Sequence, residues 1–167
     1  GDVFLKTRDL AAANDAFTAT RRLAEDRLAS DPANTQWQRD LSVSHERIGD
    51  VLAAQGDGPA ALAAYRQGLA IAEALTRRDP ANAEWQRDLS VSHIKIGDVL
   101  VAQGDGPAAL TAYRQGLAID EALTRRDPAN TEWQRDLSVS HIKIGDVLVA
   151  QGDGPAALTA YRQGLAI

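Results

Sequence analysis

The chain has 167 residues, 44% hydrophobic and 25% charged, which is ordinary for a globular protein able to bury a core. Acidic residues outnumber basic ones by 23 to 18, and the net charge of −5 argues against nucleic acid or an anionic membrane as partner. There is no cysteine, which excludes a disulfide framework, a thiolate nucleophile and a Cys-based zinc site, and no apolar run approaches the ~20 residues that span a bilayer.

Read in order, the chain is a succession of copies of one unit. Leu41, Leu89 and Leu137 open copies spaced 48 residues apart, and the copies at 41–88 and 89–136 differ at only six positions. Residues 137–167 match 89–119 throughout. Such a period marks a stacked-repeat protein rather than a single irregular domain. The expected organisation is one array over 1–167: a diverged partial first repeat (1–33), a second (34–81), a third (82–129) and a truncated fourth (130–167). The start inside a repeat without an initiator Met suggests an excerpt, and a cytoplasmic location is expected. Near-identity of the copies fits recent tandem duplication or deliberate consensus engineering.

The first copy departs from the others. Arg8 replaces the turn glycine, Leu10 stands where the second copy has Gly58, and Asn14 replaces Leu62. A short truncated first helix over Gly1 to Lys6, followed by a second helix, is expected. Beyond it, all six prolines fall at two kinds of junction: Pro32, Pro80 and Pro128 in Asp-Pro-Ala-Asn, and Pro59, Pro107 and Pro155 in Gly-Asp-Gly-Pro. Proline breaks a helix interior but is tolerated in its first turn, so these junctions separate helices. Asn34, Asn82 and Asn130 suit N-cap positions, Glu84 and Glu132 suit first turns, and Arg77, Arg78, Arg125 and Arg126 suit last turns. The spacing predicts one helix over about 34–55 and another over about 59–78, each recurring. Trp37, Leu41, Ile48 and Leu52 share one face of the first, with Ser44 and Val51 beside them. Ala61, Leu62, Tyr65, Gly68, Leu69, Ala72 and Leu75 make the apolar face of the second. Neither stripe can be buried alone, so hairpins must stack. Trp85 and Leu89 are expected in the core.

The run Ile48-Gly49, Leu52, Gly56-Asp57, Ala61, Tyr65, Gly68-Leu69 resembles the tetratricopeptide repeat (TPR) family, and the resemblance recurs along the whole chain. The period of 48 exceeds that family's 34. The helices are correspondingly longer, somewhat like the repeats of kinesin light chain. His45, His93 and His141 stand where the family often has Trp, and Gly68, Gly116 and Gly164 where it has Ala. The resemblance implies an all-α solenoid of antiparallel helical hairpins, a right-handed superhelix with a concave groove that binds protein or peptide. Groove-lining clamps for acidic C-terminal tails in this family use Lys and Asn. The matching positions here are Ile94, Asp98 and Ala102, so no such tail is expected to bind.

Candidate chemistry is sparse. Gly56-Asp57-Gly58-Pro59-Ala60-Ala61 fits a dinucleotide-binding pattern in form, but a helix precedes it where a strand is needed, and Pro59 removes an amide. The tight turn is the favoured reading. The histidines recur on successive hairpins, about one helix diameter (~10 Å) apart, too far to share a metal. They read as half-buried structural residues. Asp50, Asp98 and Asp146 form a row with Asp2 that suits solubility or binding better than acid–base work. Asp120, replacing Ala72 on an apolar face, implies either an open face or pairing with an Arg. No residue set supports catalysis, and no cofactor or metal is implied.

The face of the first helix opposite its core stripe carries the candidate groove. In the third copy it comprises Arg87, Val91, Ile94, Asp98 and Val101, and in the fourth Arg135, Val139, Ile142, Asp146 and Val149. Apolar residues on a solvent-facing surface mark a contact site, while close curvature of long helices would bury the same residues among themselves. The function expected is a scaffold binding an apolar peptide or partner helix, with a basic residue facing Asp98 and Asp146. Two alternatives stand beside it: end-to-end self-assembly, and a sensor segment of a larger signalling protein. Head-to-tail association is expected because Ala160, Leu165 and Ile167 would face water at an uncapped end, opposite the gap left by the truncated first helix.

Overall fold

The computed structural model describes residues 2–167, with side chains from Asp9 onward. Seven helices account for it: α1 (Asp2–Ser30), α2 (Thr35–Ala54), α3 (Gly58–Arg78), α4 (Ala83–Ala102), α5 (Gly106–Arg126), α6 (Thr131–Ala150) and α7 (Gly154–Leu165). No strand occurs among the described residues. The chain divides into two compact units, residues 1–81 and 82–167. In the first, α2 packs against both α1 and α3. In the second, the hairpins α4–α5 and α6–α7 are joined by α5 against α6. The architecture is the expected all-α solenoid class, built of antiparallel hairpins.

Local chemistry sets each boundary. The Asn34 side-chain oxygen accepts from the amides of Gln36 and Trp37, both at 3.1 Å, satisfying two of the donors a helix start leaves open. Asn82 and Asn130 repeat the cap. At the other end of α2, Gly56 takes a positive φ of 83°, where a side chain would be strained. The Asp57 amide then donates to Leu52 O and the Gly56 amide to Ala53 O, a Schellman closure. Asp57 at once caps α3, its carboxylate accepting from the Ala60 amide at 3.0 Å. One residue thus ends a helix and starts the next, which holds the hairpin loop to three residues, Gln55–Asp57.

α1 departs from expectation. It is a single unbroken helix of 29 residues rather than a short helix and a turn. The cause lies in the substitutions: with Arg8 at the turn glycine and Leu10 at the second glycine position, nothing forces a break. The expected N-terminal gap is therefore not formed, and Gly1 lies outside the described residues.

The core also shifts from its expected centre. Trp85 and Leu89 are only half-buried. The deepest part of α4 is Ser90, Ser92, His93, Ile96, Gly97, Val99 and Leu100. On the facing helix Tyr113 and Leu123 are 2% and 1% exposed. Two close approaches explain why small residues dominate. A Cβ on Gly49 or Gly145 would lie 2.5 Å from the ring of Tyr65 or Tyr161, and Gly97 beneath Tyr113 is tighter still. About two turns earlier on α2, the carbonyl oxygen of Ser42 would meet a Cβ on Gly68 at 3.0 Å. There the Ser42 hydroxyl donates to Gly68 O at 2.8 Å. Each hairpin is thus zipped by a tyrosine lying on one glycine and a serine bonded to another.

Candidate binding face on α4 and α6

The geometry of the face begins with the triplet Ile-Gly-Asp in α2, α4 and α6. The glycine admits the tyrosine ring, and the next residue receives its hydroxyl. Tyr65, Tyr113 and Tyr161 donate to Asp50, Asp98 and Asp146 at 2.8, 2.6 and 2.7 Å. Burial, followed by the bond to Asp98, pushes the Tyr113 hydroxyl well above its ordinary value, so it stays a donor across the working pH range. Each of these aspartates is therefore a hydroxyl-bonded carboxylate, fixed within its own hairpin.

Not all of these carboxylates are available. Lys143 Nζ on α6 lies 2.8 Å from Asp98 Oδ1 on α4, pairing the two hairpins. Arg87 is similarly committed: its Nε contacts Asp136 at 2.6 Å and its Nη1 contacts Glu132 at 2.9 Å. The bond to Asp136 raises the Arg87 value further. Arg87 and Asp98 thus tie α4 to α6. Asp146 is exposed, accepts from Tyr161, and has no cation within ion-pair distance among the described residues.

The apolar members divide in the same way. Val91 and Ile94 are half-buried, Ile94 with its side chain over Gly116 of α5. Val101, Val139, Ile142 and Val149 are 46%, 37%, 40% and 56% exposed. Arg135 is exposed beside them. Between α4 and α6 opens a cavity of about 510 Å³ floored by Tyr113, with apolar walls from Val101, Ala102, Pro107, Val147 and Ala150. Asp98, Lys143 and Asp146 reach it as well. Of the ten sequence-derived face residues, only Asp98, Val101 and Asp146 line this cavity. Tyr113 and Lys143 were not foreseen there. The signal for Tyr113 is its constant spacing of 15 residues after the aspartate.

Away from the face, the histidines are more buried than the half-burial expected, at 7–8% exposure. Burial lowers the values of His45 and His141, so both are neutral near pH 7. Among the described residues, no three His, Cys, Asp or Glu side chains converge as metal ligands would. Asp120 follows neither expected course. It is 2% exposed and accepts from Ser90 Oγ on α4 at 2.5 Å and Ser140 Oγ on α6 at 2.6 Å. At the far end, Leu165 and Ile167 are 83% and 42% exposed, while Ala160, expected to face water, is buried. No helix is long and apolar enough to cross a membrane among the described residues.

The chain resembles two solved structures, both 15% identical to it in sequence. One crystal structure of MamA matches 90% of this chain and 87% of its own length with a TM-score of 0.52. A second MamA crystal structure matches 96% and 90% with a TM-score of 0.51. These likenesses are of fold, a helical repeat. No protein-family model and no curated protein sequence matches the chain.

Proposed function

We propose that the chain is a TPR-like protein-interaction scaffold, without catalytic function, that binds a peptide or partner helix along the face of α4 and α6. The observation carrying this reading is the solvent-facing apolar stripe of Val139, Ile142 and Val149, continued by Val101 beside the cavity. Residues spaced three, four or seven apart lie on one side of a helix, so the three share a face, with Asp146 set between Ile142 and Val149. A side chain docked there loses water on both surfaces, while the flanking charges fix its orientation. With Arg87 and Asp98 already paired, the charged groups of the face without an ion-pair partner among the described residues are Arg135 and Asp146, the latter accepting from Tyr161. The ligand is a protein or peptide, with no role for nucleic acid or membrane.

The test is an overlapping-peptide array probed with the whole chain and with the double variant Ile94→Glu, Ile142→Glu. The second copy shows that the fold accepts this change, because Glu46 already occupies the matching position with its stem over Gly68. Helix content should be retained and peptide binding lost. Binding of every recovered peptide by the double variant would place the site elsewhere.

A further inference from the structure

We propose that the cavity between α4 and α6 is a selectivity pocket for one glutamine side chain of the bound segment. The inference rests on the α4–α6 face being the docking surface and names what that surface selects. The polar part of the cavity belongs to the junction of two hairpins. Asp98 comes from α4 and Lys143 from α6, their side chains are 40% and 35% exposed, and both line the cavity. Both contacts that Asp98 receives fall on one oxygen. Its Oδ1 takes the Tyr113 hydroxyl at 2.6 Å and Lys143 Nζ at 2.8 Å, and its Oδ2 has no partner among the described residues. Lys143 commits one of its three N–H donors to Asp98 and keeps the others for a ligand. An open acceptor and open donors therefore stand side by side on a pair without net charge. A carboxamide is uncharged and offers N–H donors and an oxygen acceptor at one head, so its nitrogen can meet Oδ2 while its oxygen meets the ammonium. The walls beside the pair are aliphatic, from Val101, Ala102, Val147 and Ala150. Glutamine has one methylene more than asparagine, and its stem can lie on these walls while its head reaches the pair. At about 510 Å³ the cavity has room for the whole side chain. A charged side chain is disfavoured, because an ammonium meets Lys143 and a carboxylate meets Asp98. The choice does not depend on Asp146, which accepts from Tyr161 within its own hairpin.

Selection of a phage-displayed random peptide library against the whole chain tests this. Peptides recovered on the wild type should carry one Gln at a fixed place among aliphatic residues. Replacing that Gln by norleucine keeps the stem and removes the amide, and should weaken binding about tenfold, as for partly exposed hydrogen bonds to charged groups. Lys143→Met keeps the aliphatic stem and leaves Asp98 without its cation, so the selected residue should shift from Gln to Lys or Arg. Asp98→Asn keeps an acceptor for Tyr113 and leaves Lys143 without its anion, so the selected residue should shift to Glu or Asp. Both variants should keep their helix content, since a partly exposed ion pair carries little stability. Recovered peptides that lack Gln at a fixed place, or that keep it on both variants, yet are lost with the Ile94→Glu, Ile142→Glu double variant, would overturn the pocket and leave the docking face standing. Peptides insensitive to that double variant, or no recovered peptides at all, would overturn both.

Discussion

Asp120 stands where the preceding copy has Ala72, and nothing else in the second unit is as deeply buried and as charged. Burial raises its value, opposed by the Ser140 and Ser90 hydroxyls and by Arg87, and reinforced by Asp136. The protonated form is therefore the one the fold prefers. Stability linked to this group is fully present below the unfolded value of 3.8 and is lost as pH rises through the raised folded value. Asp120→Ala should consequently be neutral, or stabilising by up to about 1–4 kcal/mol, at pH 7.5. The freed Ser140 hydroxyl can turn to the carbonyl of Asp136, as Ser44 and Ser92 do to Asp40 and Asp88. The difference between variant and wild type should shrink toward pH 4. His45 and His141 lose stability on acidification through 6.5, but they contribute equally to both proteins and drop out of the comparison. Urea denaturation at several pH values measures it, and a pH-independent loss above about 2 kcal/mol would show that the hydroxyl bonds outweigh burial of the charge. The sequence marked Asp120 as odd but could not name its partners. Ser90 and Ser140 lie 30 and 20 residues away on two different helices, which a helical wheel does not bring together.

Within the helices, the glycines of Ile-Gly-Asp reverse the usual propensity argument. On an exposed helix, Gly→Ala gains about 1 kcal/mol. At Gly97 the added methyl would overlap the ring of Tyr113, itself held by Gly97's neighbour Asp98. Gly97→Ala should therefore cost about 1–3 kcal/mol through overpacking. In the double variant with Tyr113→Ala, the glycine change should become neutral or favourable. Strict additivity of the two changes in chemical denaturation would mean that the ring does not rest on the glycine. Beyond α1, helix existence and boundaries were legible in the sequence because cap and break residues act within a few positions. Asn34, Gly56 and Arg77–Arg78 all serve as their types imply. Core depth was less legible. Periodicity identifies the side of a helix but not how closely its partner approaches, so Trp85 and Leu89 were placed too deep, and the burial of Ser90 and Gly97 was not foreseen. The face residues were found as a stripe for the same reason, whereas the ion pairs that withdraw Arg87 and Asp98 from it cross between hairpins.

At the scale of the molecule, the two units differ in what they bury. Residues 82–167 contain the α4–α5 hairpin and the shorter α6–α7 hairpin, and the junction between them is fixed at three places. Asp120 receives Ser90 and Ser140, Arg87 pairs with Asp136 and Glu132, and Lys143 pairs with Asp98. Ile96, Val99, Leu100, Tyr113, Leu123, Leu137, Ile144, Val147 and Leu148 are its large buried apolar residues. Among the side chains described in residues 9–81 the large ones are Val51, Tyr65 and Leu75, and the rest of the buried apolar set is alanine. At about 0.8 kcal/mol per buried methylene, this difference outweighs the surface ion pairs, each worth at most about 1 kcal/mol. A fragment starting at Asn82 also keeps the α4 cap, since the Asn82 side chain accepts from the Trp85 amide at 3.1 Å. The fragment 82–167 should therefore fold alone, with a cooperative urea transition and helix content matching α4 to α7. A unit this small buries only a little over ~60% of the surface its unfolded chain exposes, so its stability should be a few kcal/mol. The fragment 1–81 should unfold at lower urea. Circular dichroism of both fragments decides the matter. A non-cooperative 82–167, or a 1–81 fragment more stable than it, would show that the second unit depends on the first for its core.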